Sequence, residues 1–201
     1  MNTKILIIRH AKSIASDIGM FGGITDYELS EEGICQANAL ALRLKKIKID
    51  KIYSSPLKRA VNTISPLSKI KKLDINIVDD LKDIYVGTWE NVPVDELRRI
   101  FPEENKYIDE TEFYTGIEGQ EETIEVSNRM YNAILNIAKE NKGKTVVVVS
   151  HIVPIRAFLC KIMNIPFEKT KEKIGDLKNT SICEIIYNNN NENKFVIKKL
   201  K

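Results

Sequence analysis

Two short runs of apolar, largely β-branched residues constrain the fold of this chain more than any other feature. The first is KILII over residues 4–8, and the second is TVVVV over residues 145–149. Runs of this length without polar alternation are typical of strands buried on both faces of a parallel sheet. Helical patterns lie between the predicted strands. We therefore expect an α/β fold, a three-layer sandwich with a mostly parallel central sheet.

The two histidines of the chain each follow one of these runs. Arg9 and His10 come directly after the first run, and Ser150 and His151 come after the second. In open α/β sheets, ligands bind beyond the carboxyl ends of the strands. One histidine beside an apolar run is more often structural, but two at equivalent strand ends indicate a shared site. A guanidinium and two imidazoles at this edge favour an anionic ligand.

A second candidate for anion binding follows the predicted strand over residues 51–54. Ser55 and Pro56 predict a helix that is capped at 55 and begins at 56, with Arg59 in its first turn. Free N–H groups at a helix start attract phosphate, and an arginine there adds a bidentate donor. Taken alone, such an arginine is more often a surface residue.

The remaining segments complete an alternation of strands and helices around one domain, residues 1–201. Residues 88–120 hold too few apolar side chains for a core of their own, so we interpret them as a small lid-like insertion. The last two strands predict a hairpin that gives the sheet an antiparallel edge strand. The predicted elements are a loop over 11–27, a helix capped by Ser30, a strand over 74–78, a structured loop over 79–90, helices over 95–100, 121–140 and 153–163, and strands over 181–187 and 194–198 joined by a polar turn over 188–193.

Composition excludes several classes of partner. Lysine and arginine number 31 against 28 aspartates and glutamates, a net charge of +3 that does not suggest nucleic-acid binding. Cys35, Cys160 and Cys183 form no CxxC pair and are expected to be reduced thiols. The N-terminal apolar run is too short for a signal peptide or a membrane span. We expect a cytoplasmic protein without nucleic-acid or membrane partners, a monomer or homodimer.

Five motifs, in order along the chain, together resemble the signatures of the histidine phosphatase superfamily, the phosphoglycerate-mutase-like proteins. The resemblance spans nearly the whole chain. The motifs are IIRHAKS (7–13) for R-H-G-E-T/S, GITDYELSEEG (23–33) for G-x-x-D-x-x-L-T/S-x-x-G, YSSPLKRA (53–60) for S-S-P-L-x-R-A, LKD with GTWE (81–83 and 87–90) for L-x-E…G-x-W-E-G, and VVSH (148–151) for the late strand that ends in the second histidine.

The resemblance implies a role for each matching residue. His10 would be the nucleophile that forms a phosphohistidine, while Arg9, Arg59 and His151 would surround the phosphoryl group. Asp83, in place of the more usual glutamate, would protonate the leaving alkoxide and then activate water. Without the motif, Asp83 would be read as one exposed loop acid among several.

Other matches are less complete. Ser16 stands where many members carry a phosphate-binding asparagine, and the resemblance implies that Ser16 and Gly23 bind substrate. Lys12 replaces a common acid and is interpreted as a basic rim of the pocket. Residues 118–122 are only loosely similar to the family's G-E-S motif.

These residues predict a metal-independent phosphomonoesterase that needs no cofactor and acts on a small phosphorylated metabolite. A mutase-type phosphotransferase is one alternative. However, IASD over residues 14–17 replaces the tryptophan–asparagine pair of the mutases. A second alternative is a protein that binds a phosphate ligand without turnover. A metallohydrolase using His10, His151 and the loop acids is a third, although no HxxxH or HxH spacing supports it.

Overall fold

The computed structural model describes residues 1–104, 116–188 and 195–200. Six strands form one sheet in the order β3-β2-β4-β1-β5-β6. The strands are β1 (Thr3–Arg9), β2 (Lys51–Ser54), β3 (Ile75–Ile77), β4 (Thr145–Ser150), β5 (Ile182–Tyr187) and β6 (Phe195–Leu200). The helices of the described ranges are α1 (Ile14–Asp17), α2 (Glu31–Leu44), α3 (Lys58–Lys71), α4 (Val94–Ile100), α5 (Thr123–Glu140), α6 (Ile152–Met163) and α7 (Thr170–Ile174).

The direction of the strands confirms the predicted mostly parallel sheet. Strands β1 and β2 both pair in parallel with β4, and β3 pairs in parallel with β2. The last two strands form the predicted antiparallel edge, with β5 pairing antiparallel with both β1 and β6. Because β1 and β4 are neighbours and Arg9 is opposite Ser150, the two histidines leave the sheet side by side.

Each face of the sheet is covered by helices, which confirms the three layers. Leu6 and Ile8 of β1 pack with the apolar side chains of α2 and α3 on one face. Ile5 and Ile7 pack with α5 and α6 on the other. This alternation is the two-residue period of a strand, and it explains why β1 and β4 read as continuous apolar runs.

Two local predictions need correction. The predicted loop over 11–27 contains the short helix α1. Helix α3 begins at Lys58 rather than at Pro56, and Ser55 does not cap it. The cap comes instead from a distant loop, because Asp26 Oδ1 accepts the backbone N–H of Lys58 at 2.7 Å. A tertiary contact of this kind leaves no local signal at residues 55–58.

A third apolar cluster packs the structured loop after β3 against α4, α5 and α6. Trp89 is 3% exposed in this cluster, beside Leu97, Val126 and Ala157. Trp89 therefore anchors its loop by packing in this cluster. Residues 105–115 of the predicted insertion, 189–193 of the predicted turn and 194 of the last predicted strand lie outside the described residues. A single domain with a lid over 88–120 stays a prediction.

Within the ranges that the structure describes, the helices are all too short or too polar to cross a membrane.

Candidate active site

A cavity of about 120 Å³ lies at the end of β1 and contains most of the residues that the sequence singled out. Arg9, His10, Ser16, Arg59 and Asp83 all line it. These side chains come from four separate segments: the end of β1, helix α1, the first turn of α3 and the loop after β3. The fold therefore brings together the residues that the resemblance implied.

His10 is held with a free ring nitrogen. Its Nδ1 lies 2.7 Å from the carbonyl oxygen of Ala11, so Nδ1–H donates and Nε2 carries the lone pair. The backbone of His10 is fixed at both polar atoms, with its N–H on Ser150 and its carbonyl on the Asn179 amide. Burial, and then the charges of Arg59 and Arg9, hold the pKa of His10 well below its usual value. The ring is therefore neutral at pH 7.

His151 is completely buried and lies next to His10, with the two ring centroids 4.9 Å apart. Its Nδ1 accepts a hydrogen bond from Arg59 Nε at 3.2 Å. Nε2 must then carry the proton of the neutral ring, which it donates to the Ser55 hydroxyl at 2.8 Å. Burial, and then the charge of Arg59, hold the pKa of His151 well below its usual value. The Ser55 hydroxyl thus orients this histidine, and it also accepts the N–H of Leu57 at 3.3 Å, just before α3.

Arg59 is 3% exposed and is fixed by several acceptors. Its two terminal nitrogens donate to the carbonyls of Gly23, at 2.6 Å, and Thr25, at 2.9 Å. Nη2 also lies 3.3 Å from Asp83 Oδ2. A buried guanidinium held in one orientation is suited to bind a planar or tetrahedral oxyanion without reorganisation.

Arg9 completes the positive side of the cavity. Its Nη1 donates to the carbonyl of Leu177 at 2.6 Å, in the segment between α7 and β5. This segment, which also carries Asn179, was not assigned from the sequence. Its contacts fix the end of β1 at the side chain of Arg9 and at the carbonyl of His10.

Asp83 is 7% exposed and sits between the two arginines and His151. Burial raises the pKa of Asp83 to about 6, although Arg59 and the Ile84 N–H partly oppose this. Oδ2 lies 3.6 Å from His151 Nδ1. A carboxyl that titrates near neutrality can both donate and accept a proton, as a general acid and base must.

The sequence of the chain as a whole confirms the resemblance. A sequence model of the histidine phosphatase superfamily (branch 1) matches residues 5–199. The chain belongs to the histidine phosphatase superfamily.

Individual relatives agree with this assignment. The chain is 34% identical to phosphoserine phosphatase 1 of Hydrogenobacter thermophilus over 83% of its length and 79% of that protein. It is 31% identical to a metal-independent phosphoserine phosphatase of Arabidopsis thaliana, over 80% of this chain and 68% of the relative. A histidine-to-alanine mutant of phosphoserine phosphatase from Entamoeba histolytica, solved with phosphoserine, superposes with a TM-score of 0.81. It is 27% identical and covers 98% of this chain and 96% of its own. The chain is a phosphatase of this superfamily.

Three residues of this histidine phosphatase could also form a metal site by geometry alone. Each of His10, Asp83 and His151 offers a ligand atom, and these atoms all lie within 4.8 Å of one another. Sequence spacing could not show this, because the three come from different segments. A cation there would have to displace Arg59, whose guanidinium already contacts His151 and Asp83. The buried positive charge favours an anion at this position.

The five sequence motifs do not include Arg129, which fixes the loop of the candidate acid. Its guanidinium pairs with Glu121, with Nε 2.6 Å from Oε1. It also donates to the main-chain carbonyls of Asp80, Lys82 and Asp83 at 2.7–2.9 Å. Residues 118–122 therefore reach the loop of Asp83 through Glu121 and Arg129.

Gly23 and Lys12, which belong to the less complete motif matches, have different surroundings in the structure. Gly23 lies behind Arg59 and accepts from it, and a Cβ there would collide with Glu90 Oε1 and the Ile84 carbonyl. Lys12 is not a free basic rim, since its Nζ lies 2.6 Å from Asp17 and 2.9 Å from Glu32.

Proposed function

We propose that this phosphatase is a metal-independent phosphomonoesterase that works through a phosphohistidine on His10. The observation that carries the proposal is the Nδ1 hydrogen bond to Ala11, which leaves Nε2 unprotonated on a buried ring beside two guanidiniums. Phosphoryl transfer depends on positioning and on stabilising charge at the equatorial oxygens. Arg9 and Arg59 supply that charge in fixed orientations, with His151 in contact with Arg59.

In the first step, Nε2 of His10 attacks phosphorus and the bond from phosphorus to the ester oxygen breaks. The protonated carboxyl of Asp83 transfers its proton to the leaving oxygen, so an alcohol departs. The P–N bond that forms holds the phosphoryl group between Arg9 and Arg59. Covalent catalysis divides one difficult displacement into two easier ones.

In the second step, the carboxylate of Asp83 takes a proton from water as the water oxygen attacks phosphorus. The P–N bond breaks, inorganic phosphate leaves, and His10 returns to its neutral form. Asp83 ends protonated, ready for the next ester. The same carboxyl therefore serves as acid and then as base, which a pKa of about 6 permits.

The size of the site and the substrates named for the relatives both support a small phosphorylated metabolite as substrate. The phosphate cavity measures about 120 Å³. Relatives are named for phosphoserine, and one for metal independence. The three free cysteines suit a reducing cytoplasm.

Hydrolysis of a panel of phosphate monoesters by the purified protein, with and without excess chelator, tests the proposal. We expect release of inorganic phosphate at the same rate in both conditions. Rapid quenching into base should trap up to one phosphoryl group per chain, because phosphohistidine is stable in base and labile in acid. Loss of activity on chelation that added metal restores would overturn metal independence. Turnover without any trapped phosphoenzyme would overturn the covalent route.

The pH dependence of kcat/KM provides a separate prediction. The protonated form of Asp83 is lost as pH rises through about 6, whereas His10 stays neutral down to lower pH. For an alkyl phosphate, kcat/KM should therefore fall about tenfold per pH unit above pH 6. The measurement is an initial-rate profile between pH 5 and 9, divided by the profile of Asp83→Asn, which has the same substrate ionisation. A ratio that stays constant to pH 8 would contradict the assigned acid.

A further inference from the structure

A second cavity lies next to the phosphate cavity. It measures about 240 Å³, against about 120 Å³ for the first. The two cavities share the side chains of Arg9, Met20, Asp83 and Ile152 on their walls. Any ester whose phosphate is held in the first cavity can therefore extend into the second.

The position of Asp83 decides which part of a substrate enters this second cavity. The proposed acid must reach the oxygen that leaves phosphorus, within hydrogen-bond distance. Asp83 lines both cavities, at their junction. The group attached to the leaving oxygen then lies beside Asp83 and can enter the larger cavity.

Most of the side chains that line the second cavity are apolar. Its own residues, beyond the shared ones, are Phe21, Ile84, Val86, Val94 and Val153. Ile84, Val86 and Val153 are 1–5% exposed and belong to the apolar cluster around Trp89. Of the described side chains on this wall, Arg9 and Asp83 are the charged ones, and both also face the phosphate cavity.

We infer that the second cavity binds an apolar leaving group, so that the preferred substrates are phosphate monoesters of alkyl or aryl alcohols. This inference rests on the proposed phosphomonoesterase function and narrows it. A leaving group with a carboxylate and an ammonium, such as that of phosphoserine, would lose hydration against the apolar side chains. The charged side chains on this wall, Arg9 and Asp83, already serve the phosphoryl group and the proton transfer in the proposed reaction. An alkyl or aryl group would gain by burial.

A series of straight-chain alkyl phosphates, from methyl to pentyl, tests this inference on the unmodified protein. Each added methylene should raise kcat/KM about fourfold until the cavity is filled. The kcat/KM of pentyl phosphate should exceed that of phosphoserine at least about tenfold. If alkyl phosphates are hydrolysed but kcat/KM does not increase with chain length, or if phosphoserine is preferred, the inference is wrong while the proposed function stands. If no ester is hydrolysed, both are overturned.

The variant Val94→Asn tests the location. Val94 is half-buried at the start of α4, and an amide in its place should lower the pentyl-to-methyl ratio of kcat/KM about tenfold. Val196→Asn is the matched control, because Val196 is 40% exposed on the edge strand β6. Its ratio should equal that of the unmodified protein. An unchanged ratio in Val94→Asn, with the chain-length increase intact, would show that the alkyl chain lies elsewhere.

Discussion

Replacing His10 with alanine is expected to lower kcat/KM for every hydrolysed phosphate ester by at least about 10⁴-fold. The substitution removes the only atom that the proposed mechanism joins to phosphorus, and the arginines alone can only polarise the ester. His10 makes one side-chain hydrogen bond, to the neighbouring carbonyl of Ala11, so the fold should survive its loss. Initial rates and base-quenched phosphoenzyme trapping measure the effect, with thermal unfolding as the check on folding.

The second histidine provides the matched control for the first. His151→Ala keeps the nucleophile, so it should slow turnover but still trap a phosphoryl group on the chain.

Added imidazole should restore part of the lost rate in His10→Ala, because a free imidazole can occupy the space of the ring. If His10→Ala formed a phosphoenzyme, or if His151→Ala turned over substrate without forming one, the assignment of His10 as the nucleophile would be wrong.

The pairing of these histidines was predictable because it depends only on local pattern and on a general rule of sheets. Two continuous apolar runs mark buried strands, and parallel strands end at one edge. His10 and His151 follow those strands directly, so their proximity needs only that β1 and β4 be neighbours. Arg59 was found for a similar reason, since it lies in the first turn of α3.

The protonation behaviour of Asp83 could not be read from the sequence. Its neighbours Asp79 and Asp80 are exposed, whereas Asp83 is 7% exposed. Tertiary contacts set the position of this loop, among them those of Arg129, which holds its main chain across 46 to 49 residues of sequence. No periodicity links residues at that separation, so neither the burial nor the raised pKa of Asp83 has a local signal.

Ser55 illustrates the same limit at one residue. Its sequence position before proline is typical of a helix cap. In the folded chain its hydroxyl lies 2.8 Å from His151 Nε2, across 96 residues, and Asp26 caps α3 instead. The local hydrogen bond, from the N–H of Leu57 at 3.3 Å, could be expected from the sequence, but the bond to the distant histidine is set by the tertiary fold.

The substitution Asp83→Asn is expected to have the second largest effect, and its size should depend on the leaving group. An amide cannot donate the proton that an alkoxide needs, so kcat/KM for an alkyl phosphate should fall by about 10² to 10⁴-fold. An aryl phosphate leaves as a stable phenolate and needs little protonation. Its kcat/KM should fall less than about tenfold. Rates for both esters, measured with one enzyme preparation, give the comparison directly.

The same variant should also accumulate phosphoenzyme, because Asp83 is the proposed base for the attack of water in the second step. With an aryl phosphate, a burst of phenolate equal to the enzyme concentration should precede slow turnover. Asp80→Asn is the matched control, since Asp80 lies three residues away on the same loop with an exposed side chain. It should behave as the unmodified protein. Equal losses for alkyl and aryl esters in Asp83→Asn would show that this carboxyl positions substrate and does not transfer the proton.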